Sequence, residues 1–497
     1  MGDYDFGKGL KKISEELISG EVTSEELVEV SLRRAKEFEK YGAFVTLLDD
    51  ESDKKGLTAS AEETSSTPPE AGKSVLTGIP YAMKDNVSTT GVLTTGSCNI
   101  LRDYVPIFDA TCYRKLSEAG AVMVGKTVLD ELAMGGSGLT GYTGPVVNPW
   151  DETRQTGGSS AGSAVAVALG VVPYAIGTDT GDSIRNPAGN LGVVGYKPTY
   201  GMISRWGVFA FASSMDTVGV LARSVRDAAI VADTMRGRDE LDMTSYDSGE
   251  LVDGLDGDVK GKKLFVVKEL AEELKEHSLD IYENYLETIE VARKAGMEVL
   301  EESVDRELLK CVCGVYFAIS CAEATSNNSN LTGVIFGVRE DGATPDEVMI
   351  NTRTKGFSEF VKKRFVLGSY ILQAENQEKL FKNAQRVRRL VVDRFNELFE
   401  KYDGWLAPNA MGIAPKIDEE VDRLSNSYLI LSQYLAIANF GGFPSVTIPS
   451  GVVRNNPVGV NITAKAKDDA GALNIAVVME KVIGFKALDE KLEEMSR

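Results

Sequence analysis

Histidine is nearly absent from this chain. Its 497 residues include one, His277. A metal site with two histidine ligands is therefore excluded, and any histidine base must be this residue. His277 sits in EELKEHSLD, which reads as a solvated helix face. Positive charge is also short, with Lys and Arg totalling 54 against 74 Asp and Glu, a formal net charge of −20. Such a surface repels phosphate backbones, because non-specific nucleic-acid affinity comes mostly from Lys and Arg. If the protein works on a nucleic acid, something else should hold it.

Cysteine is sparse and odd in number: Cys98, Cys112, Cys311, Cys313 and Cys321. The opening MGDYDFGKGLKK has no apolar signal core, so a reducing, cytoplasmic setting with buried free thiols is the expectation. The C-x-C at 311–313 lacks further ligands nearby, so no metal is expected. Long hydrophobic runs are missing as well. From Gln155 to Thr178 no residue is charged, but the longest apolar run inside it, Ala164 to Gly177, is broken by Gly170 and Pro173 and is too short to span a bilayer. No membrane segment is expected.

What is present is ordinary globular composition, 43% hydrophobic and 26% charged, in a chain long enough to bury a core without staples. Thr23 and Glu26 form a capping box before Leu27, Val30, Leu32 and Ala35, which predicts a helix. Residues 51–76 are polar and Pro/Ser/Thr-rich and read as an exposed loop. GIPYAMKDNV reads as an apolar strand ending in Lys84, and Ser163 to Leu169 as a helix before another strand. GKKLFVV at 261–267 is a further strand candidate, followed by about 130 mostly helical residues, PVGVNIT as a strand, and KVIGFKALDEKLEEMSR as a closing helix. The alternation indicates an α/β fold with strands shielded by helices.

Three familiar motifs occur literally and fail on context. GAVMVGKT, Gly120 to Thr127, matches the phosphate-loop pattern, but Ala, Val, Met and Val favour a strand over a phosphate cradle. GSGLTG, Gly136 to Gly141, should open a helix if it bound a dinucleotide, yet YTGPVVNPW follows with two prolines. GSSAG, Gly158 to Gly162, resembles a nucleophile elbow centred on Ser160, but a polar loop precedes it and His277 is badly placed to serve it.

With His277 discounted, a serine nucleophile needs another base, and a lysine kept neutral by burial can supply one. Lys84 ends an apolar strand. Ser159 and Ser160 precede an apolar helix whose N-terminus favours developing negative charge. Ser183 lies in GTDTGDSIRNP directly after a strand, where the N–H groups of Thr180 to Ser183 can cradle an oxyanion.

These residues resemble the amidase signature family. The likeness is carried by GIPYAMKDNV, DELAMGGS, NPWD, TGGSSAGSAVAVALG, GTDTGDSIRNPAGNLGVVGYKPTYG, SRWGVFAFASSMDTVGV and GGFPSVTIPSG, with Lys84, Ser159 and Ser183 spaced 75 and 24 residues apart. The resemblance implies an α/β amidase-signature fold, a large mixed sheet covered by helices on both faces. It implies a single domain over 1–497, with a signature core at about 74–240, a helical excursion at about 268–400 and a return at 404–497.

It also implies roles. Ser183 is the nucleophile, Ser159 the bridging serine after a cis peptide, and Lys84 the base. Thr180, Gly181 and Asp182 form the backbone oxyanion hole. Met134, Gly135, Gly136, Ser137 and Tyr316 line the substrate pocket, and Arg364 in VKKRF clamps a carboxylate. The later segments VKKRFVLGSYIL and YDGWLAP are similar to the family's tRNA-dependent glutaminase branch. Members of that branch hydrolyse L-glutamine and pass ammonia to the B subunit of a heterotrimer, which binds the misacylated tRNA and uses ATP and Mg²⁺, with a small C subunit bracing the pair. No cofactor is implied in the glutaminase chain, and its tRNA contact is indirect.

Two departures stand out. Asp182 occupies a place usually held by Gly, with Arg185 its nearest candidate partner, and uncharged Ser432-Gln433 stands where the branch carries an acid. They keep open a stand-alone amidase for a small or aryl amide. A catalytically idle scaffold protein is the third alternative.

Overall fold

A computed structural model describes residues 4–49, 74–255, 257–419 and 425–495 of the chain. Among the described residues, eleven strands build one sheet: β1 (Phe44–Leu47), β2 (Pro80–Lys84), β3 (Val122–Thr127), β4 (Tyr174–Asp179), β5 (Val194–Lys197), β6 (Thr217–Ala222), β7 (Lys263–Val267), β8 (Glu298–Glu302), β9 (Gly404–Pro408), β10 (Ser445–Val453) and β11 (Asn456–Thr463). Their spatial order is β1-β3-β2-β4-β6-β5-β10-β11-β9-β7-β8. The sheet is mixed. β2 runs parallel to β3 and β4, and β7 parallel to β8 and β9, whereas β4, β5, β6, β10 and β11 are joined by antiparallel ladders.

The central strands β2, β3, β4 and β6 are buried at every residue, as a sheet covered on both faces requires. Their sequences accordingly show no polar alternation. Edge strand β8, EVLEE, buries only Val299, and its charged residues discourage pairing with another chain. GAVMVGKT indeed forms β3, and its lysine, Lys126, is buried, with Nζ donating to the Val87 carbonyl at 2.5 Å and to Thr94 Oγ1 at 2.8 Å.

The helix Ser24–Glu37 begins with the capping box foreseen at Thr23 and Glu26, and Leu27, Val30, Leu32 and Ala35 are buried beneath it. The apolar helix after the serine pair spans Ala161–Ala168, slightly earlier than read from sequence. Between β8 and β9 the chain runs through helices. The longest, Arg306–Asn327, is long and apolar enough by length and composition to cross a membrane; here 56% of its apolar window is buried inside the protein. It packs on the helices Glu359–Leu372 and Asn383–Phe399.

Two readings change. The closing segment is two helices: Asp469–Ile483 ends at Gly484 with φ 59°, and Ala487–Met495 follows. Cys311 is exposed while the other four cysteines are buried, because residues 311 and 313 face different sides of one helix. Most of the 51–76 loop, residues 51–73, lies outside the described residues.

Gly162 shows how closely the serine-bearing helix is docked. A Cβ there would collide with the Ala43 carbonyl and lie 2.7 Å from Val128 N. Gly162→Ala is expected to destabilise the fold by about 1–3 kcal/mol through overpacking, read as a lowered denaturation midpoint. An unchanged midpoint would show that the docking tolerates a methyl group.

Candidate active site

Lys84 is the last residue of β2, enclosed between β3 and β4, and it is fully buried. Burial opposes its charge and lowers its pKa to about 7, outweighing the upward pull of Asp130, Asp179 and Asp216. Among the described residues no carboxylate touches it. Its Nζ instead lies 2.8 Å from Ser159 Oγ, 2.9 Å from Ser160 Oγ, 2.8 Å from Thr178 Oγ1 and 3.2 Å from the Thr178 carbonyl. Ser160 Oγ donates onward to the Thr178 carbonyl at 3.1 Å, so its proton is committed and it accepts from Lys84. Ser159 has no such second acceptor among the described residues. Its hydroxyl is the one free to give a proton to a neutral amine.

Two other lysines are equally buried, Lys126 with a pKa lowered to about 8 and Lys197 to about 7, again mainly by desolvation. Neither touches a serine. Lys197 donates to the carbonyls of Pro198 and Phe443. A depressed lysine is thus common in this core, and the hydroxyl cage is what distinguishes Lys84.

Ser159 follows a cis peptide bond from Gly158, and Ser160 caps the helix Ala161–Ala168. The Ser160 N–H donates to the Ser183 carbonyl at 3.1 Å, which ties the two serine loops together. Ser183 is 3% exposed, and its Oγ makes no hydrogen bond to Ser159 or to any other described residue. The N–H groups of Gly181, Asp182 and Ser183 likewise have no acceptor among the described residues, leaving them available to a bound oxyanion. Gly181 is required here by a close approach. A Cβ would lie 2.8 Å from Tyr316 Cε2, so the tyrosine ring covers the loop at this point.

Beneath the loop lies a fully buried ion pair. Arg185 Nη2 meets Asp179 Oδ1 at 3.0 Å and Nε meets Oδ2 at 3.1 Å. The guanidinium also donates to the carbonyls of Gly181 at 2.7 Å and Leu435 at 2.9 Å and to Asn439 Oδ1 at 2.7 Å. Asp179 in turn accepts the Ile184 N–H at 3.0 Å. Arg185 is therefore not the partner of Asp182, as the sequence spacing suggested, because Asp179 sits at the end of β4 directly under it. Asp182 accepts from Asn186 Nδ2 at 3.1 Å, and its pKa is pushed up to about 6, first by burial and then by the charge of Asp179.

The Met134–Ser137 segment hangs on Asp130, whose carboxylate accepts the N–H groups of Ser137 at 3.0 Å, Leu139 at 3.2 Å and Thr140 at 3.2 Å, and that of Gly138 on both oxygens. Met134 is buried and Gly136 is exposed. The Asp130 N–H also reaches the Ser159 carbonyl at 3.2 Å. Arg364, on the helix Glu359–Leu372, is no surface cation. Its guanidinium lies 4.9 Å from the Phe360 ring and 5.1 Å from that of Phe317, and Nη1 is buried without a hydrogen-bond partner among the described residues. Tyr316 has its hydroxyl pKa raised by burial, with Arg364 and Asp182 both within electrostatic reach.

Sequence reading placed Lys84, Ser159, Ser183, the 134–137 loop, Tyr316 and Arg364 around one site, but missed what holds them. Thr178, whose Oγ1 also accepts from Asn86 Nδ2 at 3.1 Å, Asp130 and the Asp179–Arg185–Asn439 cluster all carry weight here. Thr178, Asp179 and Arg185 stood inside GTDTGDSIRNP and Asp130 inside DELAMGGS, so their motifs were visible although their partners were not. GSGLTG lies in a loop, and His277 is exposed at the end of the helix Lys268–His277.

A buried lysine caged by serine and threonine hydroxyls beside a loop of free N–H groups is the equipment of an acyl-transfer site, and the chain belongs to the amidase family, whose model matches residues 26–473. The chain is 38% identical to the A subunit of the glutamyl-tRNA(Gln) amidotransferase of Latilactobacillus sakei subsp. sakei, covering 97% of both chains. The crystal structure of the corresponding glutamyl-tRNA(Gln) amidotransferase A subunit from Thermotoga maritima superposes with a TM-score of 0.78 at 35% identity, over 97% of this chain and 96% of that one. The native peptide amidase from Stenotrophomonas maltophilia gives 0.81 at 25% identity, over 95% and 96%. The α/β mixed-sheet fold is thus the fold of this family.

Asp179→Asn would leave Arg185 charged and buried with half of its pairing gone. Breaking such a pair costs about 3–5 kcal/mol, so this variant is expected to melt well below the parent and to lose activity with it. A parent-like melting curve would show that the carbonyl ring alone holds Arg185.

Proposed function

We propose that the chain is the glutamine-hydrolysing component of a tRNA-dependent amidotransferase. The observation that carries this reading is the 2.8 Å contact of the buried Lys84 Nζ with Ser159 Oγ, one loop away from Ser183, on a chain 38% identical along nearly its full length to an amidotransferase A subunit.

In the proposed reaction Ser183 Oγ attacks the side-chain amide carbon of L-glutamine. Its proton passes to Ser159, and the Ser159 proton passes to neutral Lys84 Nζ. The amide oxygen takes the negative charge and receives the N–H groups of Thr180, Gly181 and Asp182. Collapse breaks the C–N bond, and the proton returns through Ser159 to the departing nitrogen, which leaves as ammonia. Water then attacks the Ser183 ester by the same relay and releases glutamate. The Ser183–Ser159 bond, open here, closes when substrate fills the site, since catalytic hydrogen bonds commonly tighten in the complex. Met134 to Ser137 and Tyr316 wall the substrate, and Arg364, with its unpartnered Nη1, takes the α-carboxylate.

This chemistry runs on protein groups alone, because acyl transfer to a serine needs no electron sink. ATP and Mg²⁺ then belong to the partner B subunit, which also meets the tRNA, while the small C subunit completes a heterotrimer working in the cytoplasm. The net charge of −20 fits a protein that leaves tRNA contact to another chain.

Ammonia release from L-glutamine, set beside a panel of simple amides, tests the reading. Ser183→Ala is expected to lower glutamine turnover by about three orders of magnitude or more, and addition of a B-type partner to raise it. Wild-type-like turnover by Ser183→Ala would remove Ser183 from its role, and turnover of simple amides with glutamine ignored would favour a stand-alone amidase.

The base has a pH signature. Lys84 must be neutral to accept a proton, and its pKa lies at about 7. kcat/KM is therefore expected to fall about tenfold per pH unit below about 7 and to level off above it. A flat profile from pH 5 to 9 would exclude Lys84 as the titrating base.

A further inference from the structure

L-Glutamine is a zwitterion, so a site for it needs an anion for the α-ammonium as well as a cation for the α-carboxylate. Arg364 supplies the cation. The carboxylates around the nucleophile loop are mostly committed elsewhere. Asp130 holds the 137–140 loop, Asp179 holds Arg185, and Asp216 accepts from Thr180 Oγ1 at 2.6 Å and from the N–H groups of Phe211 and Ala212. Asp182 differs. Its carboxylate accepts only from Asn186 Nδ2 among the described residues, and it opens on a cavity of about 180 Å³ walled in part by Asn186, Asn409, Ser432 and Tyr434. Ser432 Oγ in that wall is buried without a hydrogen-bond partner among the described residues.

Resting on the glutaminase reading, we propose that Asp182 is the anchor for the substrate's α-ammonium and the residue that selects an α-amino acid amide over amides without an amino group. The distances suit it. Residues 182 and 183 are adjacent, with Cα atoms about 3.8 Å apart, and in extended glutamine the ammonium nitrogen lies about 5 Å from the amide carbon. Tyr316 lies within electrostatic reach of both Asp182 and Arg364, so the two charged ends of the substrate would flank its ring. Glu419 also borders the cavity, but it is exposed and its Oε2 already accepts the Lys416 N–H at 2.9 Å.

The position of Asp182 gives it a second effect. Its charge stands beside the N–H groups that receive the oxyanion, where an unpaired carboxylate opposes the developing negative charge. An ammonium neutralises it. An amide without one leaves the repulsion in place, so one residue favours the correct substrate and disfavours the wrong one.

The test compares L-glutamine with 4-carbamoylbutanoate, the same molecule without its amino group, on the full-length enzyme. Asp182→Asn and Asp182→Ser are both expected to reduce the ratio of kcat/KM for glutamine over 4-carbamoylbutanoate by about 10- to 100-fold, chiefly by raising KM for glutamine. Glu419→Gln is expected to leave that ratio alone. An unchanged ratio in the Asp182 variants, equal losses on both substrates, or a collapse of the ratio in Glu419→Gln would overturn the assignment of Asp182. A parent enzyme that hydrolyses 4-carbamoylbutanoate but ignores glutamine would overturn the glutaminase reading itself, a result distinct from the others.

Discussion

The desolvation of one lysine organises the site. Lys84 is held among hydroxyls and a carbonyl, and no carboxylate among the described residues comes close enough to restore its charge. A buried amine in that position is poised to be neutral near pH 7, which a lysine in water is not. Everything nearby serves that condition. Lys84 ends a strand flanked on both sides, the helix Ala161–Ala168 brings a serine pair over it, and the end of β4 brings Thr178 beneath it.

The charges that could spoil this condition are tied down by their own partners. Asp130 spends its oxygens on four consecutive N–H groups, and Asp179 spends its pair on Arg185 and Ile184. These arrangements hold the loops on either side of Ser183 while keeping negative charge off Lys84 Nζ. The comparison with Lys126 and Lys197 makes the distinction physical. All three lysines are desolvated and all three donate to carbonyls, but Lys84 alone of the three also meets serine hydroxyls, one of them with its own proton uncommitted.

Much of the fold could be read locally. The capping box at Thr23 and Glu26 and the apolar runs that became β2, β3 and β4 are determined by neighbouring residues. Strand β5, four residues long, carried a weaker signal because it acquires its identity from the strands beside it. The closing segment broke at Gly484 because its left-handed backbone ends one helix before the next begins.

What the sequence determined by itself was the chemistry available: one histidine, a lysine ending an apolar strand, serine loops at fixed spacing, and a likeness to amidases spread over ordered motifs. These follow from residue identity and short-range order. Partnership was decided only in three dimensions. Arg185 lies three residues from Asp182 but pairs with Asp179, and it takes further acceptors from Leu435 and Asn439, some 250 residues away along the chain. Arg364, expected to clamp a carboxylate, has its packing among phenylalanines and its Nη1, unbonded among the described residues, set largely by residues far from it in the chain. Burial, and with it the pKa of Lys84 and the freedom of Asp182, depends on which distant segments close over a residue, and linear order does not encode that distance.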